Sequence, residues 1–300
     1  MSRVLLAAGG AATFGASVFL GYVVSQAQKP PKQTTTRDPE LPDQAHRLQT
    51  YDALAPSYDQ KVGWDETVMG LSILRRMLVG GHAKGDVLEV AVGTGRNLSF
   101  YPKSCASLTI SDASPKMLEV AKTHSAKACS VKDVQAVQAD AEALGHVPGL
   151  AGRQFDTVVD TFGLCSVDRP VEMLSQMQAR CKPDGKILLL EHGRSATWDW
   201  LSRILDNQVQ AHAEKWGCIW NRDITDLVQS SGIEIESIST YHLGTTYYIV
   251  GRPGRGRSPR SEALAVAATS PAAVGVSGTR CAHPAAHTAT SSLNNRGNIG

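Results

Sequence analysis

A chain of 300 residues, 42% of them apolar, is long enough for one large domain with a full hydrophobic core. Its net charge of +2, with no compact basic patch interleaved with aromatics, excludes nucleic acid as an expected partner. The 6 cysteines stand apart, with no Cys-x-x-Cys pair and no histidine at ligand spacing, so neither a disulfide framework nor a metal site is expected.

Residues 4–28, VLLAAGGAATFGASVFLGYVVSQAQ, carry no charge between Arg3 and Lys29. A bilayer core takes roughly 20 apolar residues as a helix, so residues 1–28 are expected to form a single-pass membrane anchor. Ala7, Ala11 and Gly15 would let another helix approach closely. A cleaved signal is the competing reading. An import presequence should be Arg-rich and amphipathic, and this stretch is neither. Residues 29–44, KPPKQTTTRDPELPDQ, read as an extended linker.

Residues 45–253 form the expected domain. In ETVMGLSILRRML, Val68, Leu71, Leu74 and Leu78 share one helical face, with Arg75 and Arg76 outside it. Five short apolar runs follow: DVLEV, SLTISD, VQAVQA, FDTVVD and KILLLE. Between them lie longer segments, of which SPKMLEVAKTHS and PVEMLSQMQARC have helical periodicity. Alternating strand and helix predicts a parallel sheet covered on both faces. IEIESISTYH and TTYYIVGR are parted by a few residues around Gly244, too few for a parallel crossover, so that pair should be antiparallel. The expected fold class is α/β, a doubly wound, seven-stranded, mostly parallel sheet. Residues 254–300 lack any strand or helix periodicity and are expected to be a disordered tail.

In a doubly wound sheet, ligands sit at the carboxyl ends of the strands. Glu89, Asp112, Asp140, Asp160 and Glu191 fall at or just after the ends of the five runs. Asp112 follows Gly95 at about the interval of an acid that hydrogen-bonds a ribose diol. A dinucleotide fingerprint starting at Gly93 would need a glycine where Leu98 stands, and Glu89 is a poor neighbour for a pyrophosphate. The nicotinamide oxidoreductase reading loses on both counts. S-adenosylmethionine has an adenosine for Asp112 and Asp140, no phosphate, and a cationic methionine end that tolerates Glu89.

These stretches resemble the class I S-adenosylmethionine-dependent methyltransferases. LEVAVGTGRNLSFYP is similar to their first motif, Glu/Asp-x-Gly-x-Gly-x-Gly, and ISDASPKMLEVAK to their ribose-binding segment. QADAEAL resembles the adenine-contacting segment, and KPDGKILLLEHGRS the turn and fifth strand. NLSFYP, LCSVDRP and LLLEHGRS are closer to one branch, the membrane-anchored methyltransferase-like 7 proteins and the mitochondrial inner-membrane proteins related to the yeast oxidase-assembly suppressor. The resemblance spans about residues 48–253. It implies S-adenosylmethionine as cofactor, with Glu89, Gly93 and Gly95 in its loop and Ala91 where the motif has glycine. It implies Asp112 on the ribose, and Asp140 with Ala141 beside the adenine. YDALAPSYD resembles the helix that lies over the cofactor, which makes Tyr51 and Tyr58 candidates for closing the pocket; packing is the alternative for both. A small or lipophilic acceptor, thiol or quinone-like phenol, and a mitochondrial inner membrane rather than endoplasmic reticulum complete the expectation.

Methyl transfer is an in-line displacement at an activated carbon, so proximity and alignment do most of the work. A base is needed only for an acceptor that starts protonated. His192, after the fifth run, is the candidate catalytic residue, although it could equally bond a backbone carbonyl. Asp160 is expected near the sulfonium end, and Cys165 is expected to be a small buried residue with nothing nearby to lower its pKa. A catalytically weak assembly or binding factor is the alternative function, and Ala91 is the feature that favours it.

Overall fold

The computed structural model describes residues 41–254. The expected anchor, nearly all of the linker, and the tail beyond Gly254 lie outside the described residues. Among the described residues no helix is long and apolar enough to cross a membrane.

Asp43 starts the first helix, α1 (Gln44–Leu54), by accepting the His46 N–H with its side chain. Helices α2 (Tyr58–Val68) and α3 (Leu71–His82) follow. The single helix expected across this stretch is broken: Gly70 adopts φ +67°, a left-handed conformation that glycine takes at no steric cost. The break removes Val68 from the apolar face, and it is 69% exposed. Leu71, Leu74 and Leu78 are buried as expected. Arg75, expected outside, is only 5% exposed, because its guanidinium pairs with Glu66 across the break.

Seven strands make one sheet: β1 (Gly85–Val90), β2 (Cys105–Asp112), β3 (Val134–Gln138), β4 (Phe155–Thr161), β5 (Cys181–His192), β6 (Glu234–Tyr241) and β7 (Thr246–Arg252). Their order is β3-β2-β1-β4-β5-β7-β6, parallel except that β7 runs antiparallel to β5 and β6. Successive residues of a strand point to opposite faces, so the central strands feed two cores. Leu88, Val90, Val158, Ile187 and Leu189 pack with Met173 and Met177 of α5 (Pro170–Arg180) and Val228 of α7 (Ile224–Ser231). Val87, Val159, Leu188 and Leu190 pack on the other face, with Leu74 and Leu78 of α3 and Leu118 of α4 (Pro115–Ala128). Each such side chain, fully buried, contributes about 1.5–3 kcal/mol. From β1 the chain winds outward to β2 and β3, then returns to β4 and winds the other way. That reversal opens a crevice at the carboxyl ends of β1 and β4. The helix α6 (Asp199–Trp216), which follows β5, supplies one wall of that crevice.

Candidate active site

The loop after β1 carries three residues in the left-handed region, Ala91 at φ +50°, Gly93 at +57° and Gly95 at +85°. A Cβ on Gly95 would stand 2.4 Å from Leu98 Cδ1 and 3.3 Å from the Ala121 backbone, so glycine there lets α4 pack against the loop. A Cβ on Gly93 would meet nothing within 4 Å, and Gly93 borders the cavity. Ala91 pays the usual steric penalty of a β-carbon at positive φ, about 1 kcal/mol.

Asp112, at the end of β2, accepts the Gly93 N–H on Oδ2 and the Ser114 N–H on Oδ1, both at 2.8 Å. Its carboxylate therefore clamps the loop while its remaining lone pairs stay available. Burial pushes its pKa up, and those two N–H groups pull it back toward the ionised form. Asp140 accepts the Glu142 N–H at 2.9 Å and the Gln44 amide at 2.7 Å. Both acids, with Ala91, Gly93 and Ala141, line one cavity of about 590 Å³.

The amino-terminal helices close over that cavity through polar bonds to the sheet edge. In α1, Arg47 forms a two-point pair with Asp168 at 2.9 Å, and Tyr51 meets Ser166 at 2.7 Å. Asp52 accepts the Ser114 hydroxyl at 2.5 Å. Asp59 and Glu66 of α2 both bind Arg96 of the loop after β1, and Asp59 also accepts from Thr94. Arg75 bonds Glu66, Asn97 and Thr161 at 3.0, 3.0 and 2.6 Å. Tyr51 and Tyr58 both line the cavity, and burial pushes the Tyr58 phenol up to about 12.

Beyond the loop, the cavity reaches the carboxyl end of β5. His192 Nε2 lies 3.2 Å from Cys218 Sγ. Cys165, in the turn after β4, contacts Ser166 Oγ and the Phe162 carbonyl, each at 3.4 Å. The His192 ring nitrogen and the two sulfurs all lie within 4.8 Å of one another. His212 of α6 stacks on Trp220 with ring centroids 4.0 Å apart, and burial pushes its pKa down to about 4, so it is neutral at pH 7. Trp220 donates to the Leu205 carbonyl at 3.1 Å, which fixes this aromatic wall.

Residues 87–185 match a family described as methyltransferase domain. Over 214 residues the chain is 37% identical to the mitochondrial methyltransferase OMS1 of Saccharomyces cerevisiae, covering 67% of this chain and 45% of the relative. The fold is similar to that of the DhpI-SAH complex, with a TM-score of 0.51 at 22% identity, over 70% of this chain and 97% of that one. The chain belongs to the class I S-adenosylmethionine-dependent methyltransferases. Its fold is the S-adenosylmethionine- or S-adenosylhomocysteine-binding fold of that family. Two further relatives differ from each other in the acceptor that their names give. One is the demethylmenaquinone methyltransferase of Renibacterium salmoninarum, 33% identical over 47% of this chain and 56% of the relative. The other is the human thiol S-methyltransferase TMT1B, 27% identical over 53% of this chain and 64% of the relative. The chain spans about half the length of the curated relatives it matches.

Within the methyltransferase fold, Ala91, Gly93, Asp112, Asp140, Ala141, Tyr58 and His192 come together around one cavity. Three expected residues, Glu89, Gly95 and Asp160, do not line it. Glu89 is 1% exposed and turns away from the cavity, accepting from Asn97 and Tyr101, each at 2.8 Å. Burial pushes it up to about 7, and it acts as a clasp between strand and loop. Asp160 lies beneath Gly163, where a Cβ would stand 2.2 Å from its Oδ1. Its neighbour there is Glu191; burial raises Asp160 to about 7, and burial together with the nearby Asp160 charge raises Glu191 well above its usual value. Gly95 supports the loop from behind. Cys165 is buried as expected, but the expectation of an unperturbed thiol fails. The neighbouring Cys218 thiol, then the charge of His192, hold it well below the usual thiol value.

Sequence reasoning missed Cys218, His212, Trp220 and the Arg75 network. Cys218 and His192 are 26 residues apart, so no short ligand motif announces them, and only the fold joins them.

Proposed function

We propose that this chain transfers the methyl group of S-adenosylmethionine to a small lipophilic acceptor, a thiol or a quinone-like phenol. The observation that carries the proposal is the continuous cavity of about 590 Å³, acidic at one end and aromatic and sulfur-rich at the other. Asp112 accepts the ribose hydroxyls with the lone pairs left free by Gly93 and Ser114, and Asp140 with Ala141 borders the adenine. The bare backbone of Gly93 leaves room for the ligand to approach the loop. With the adenosine fixed there, the far end of the cavity is where the acceptor meets the methyl group. The cofactor supplies an activated carbon on a sulfonium sulfur. The helix α1, held by Arg47–Asp168 and Asp52–Ser114, excludes water and aligns the partners.

His192 borders the acceptor end, but its Nε2 already meets Cys218, so any proton it accepts is taken in competition with that contact. The uncharged run 4–28 is the anchor that brings a lipophilic acceptor within reach, and the mitochondrial relative favours that organelle. Membranes carrying the full chain should retain it through a carbonate wash; release would remove the anchor from this reading.

The catalytically weak alternative draws on one observation, the positive φ of Ala91. A penalty of about 1 kcal/mol weakens cofactor binding by less than about tenfold. Titration of the full chain with S-adenosylhomocysteine tests both readings. Measurable heat of binding supports methyl transfer. No binding by the wild type, restored by Ala91→Gly, supports the weak factor.

A further inference from the structure

The cluster at the acceptor end joins three separate elements: Cys165 from the turn after β4, His192 from the last residue of β5, and Cys218 from the segment after α6. Nothing in a purely structural role requires two thiols and an imidazole to converge on the wall of a ligand cavity. All three side chains line that cavity. Their potential ligand atoms lie within 4.8 Å of one another, and His192 Nε2 is 3.2 Å from Cys218 Sγ. Around a tetrahedral zinc ion, bond lengths of about 2.0–2.3 Å separate the ligand atoms by about 3.3–3.8 Å. Sub-ångström side-chain adjustments reach that geometry. Three protein ligands with the fourth position open is the pattern of catalytic zinc, and soft thiolate ligands favour zinc over magnesium or calcium. The cluster borders the cavity, where Leu205, His212 and Trp220 also line the wall, so a fourth ligand can reach it from there.

We propose that Cys165, His192 and Cys218 bind a zinc ion whose open position takes up the acceptor as a thiolate. The proposal rests on the methyl-transfer reading and narrows its acceptor class to thiols. On coordination the thiol proton leaves to solvent. Two cysteine thiolates already neutralise the ion, so the bound acceptor sulfur keeps its negative charge and its nucleophilic lone pair. That pair forms the new sulfur–carbon bond, the carbon–sulfonium bond breaks, and its electrons remain on the sulfur of S-adenosylhomocysteine. The product is a neutral thioether, a weak ligand that the next thiolate displaces. His192 then serves as a ligand and not as a base.

The test uses the full chain in detergent, kept reduced with a phosphine, with cobalt(II) as a spectroscopic substitute for zinc. About one metal ion should bind per chain and give a sulfur-to-cobalt charge-transfer band in the near ultraviolet. Mercaptoethanol should strengthen that band by adding a further sulfur ligand. Cys218→Ser should abolish metal uptake while leaving S-adenosylhomocysteine affinity within about twofold, which also shows that the variant is folded. Absence of the band in the wild-type chain overturns the proposal. So does a band that mercaptoethanol does not alter, or a Cys165–Cys218 disulfide that persists under the phosphine. Thiol methylation that continues undiminished after the metal is stripped overturns it too, and leaves the methyltransferase reading intact. Metal and thiol uptake without any S-adenosylhomocysteine binding would uphold the zinc site and remove the methyltransferase reading instead.

Discussion

Asp112→Asn changes one atom and probes both jobs assigned to that side chain. Each carboxylate oxygen accepts one backbone N–H at 2.8 Å, from Gly93 and from Ser114. An amide must turn its NH₂ toward one of those donors, so one bond becomes a donor–donor clash whichever way the side chain flips. The charged acceptor offered to the ribose is lost as well. A hydrogen bond to a charged group contributes about 1.5–3 kcal/mol, which sets the expected loss of cofactor affinity at roughly 10- to 150-fold. The displaced loop should also cost about 1–3 kcal/mol in the ligand-free protein, lowering Tm by a few degrees. Calorimetric titration with S-adenosylhomocysteine and a thermal melt of the same sample read the two effects separately. An unchanged Kd beside a lowered Tm would mean that Asp112 clamps the loop but never meets the ribose. If neither moves, both assignments are wrong.

Ala91→Gly removes a β-carbon held at φ +50°, so affinity for S-adenosylhomocysteine should improve, by no more than about tenfold; calorimetry showing a loss would mean that the Ala91 methyl is needed for packing. Arg75→Met deletes the partner of Glu66, Asn97 and Thr161 in a buried network, at a cost of about 3–5 kcal/mol. The melting temperature should fall by roughly 6–20 °C, and an unchanged melt would show that the network is dispensable. Glu89 has a folded pKa of about 7 against an ordinary value of 4.5. The native state therefore holds a proton that the unfolded chain has released, and stability falls as pH rises through that window. Denaturant unfolding at several pH values should show a shallower decline for Glu89→Gln. The slope should not vanish, because the Asp160–Glu191 pair acts with the same sign. An unaltered slope would place the Glu89 titration elsewhere.

Much of the fold was legible because its signals are local. Every strand read from apolar runs is present, and the short link around Gly244 forced the antiparallel pair that β6 and β7 form. Ser114, two residues past the end of β2, caps α4 by accepting the Met117 N–H. The site was legible where a motif lies in one stretch, as in Ala91 to Gly95 and Asp112. It was not legible where partners come from distant elements. Arg75 reads as a surface residue on helical periodicity, and only the break at Gly70 brings Glu66 alongside it. Glu89 sits at the right position of the first motif, yet Asn97 and Tyr101 draw it behind the loop. The Cys165–His192–Cys218 cluster has no spacing signature at all, since β4, β5 and the end of α6 meet only in the folded sheet.

Methyl transfer itself is the most direct measurement. The full chain in detergent is incubated with methyl-labelled S-adenosylmethionine and a panel of small alkyl and aryl thiols, with quinone-like phenols alongside, and the products are separated by chromatography. The expected result is a labelled methyl thioether formed in equal amount with S-adenosylhomocysteine, and strongly reduced by Asp112→Asn. No labelled product from any thiol or phenol, together with no calorimetric binding of S-adenosylhomocysteine, would contradict the proposed function outright.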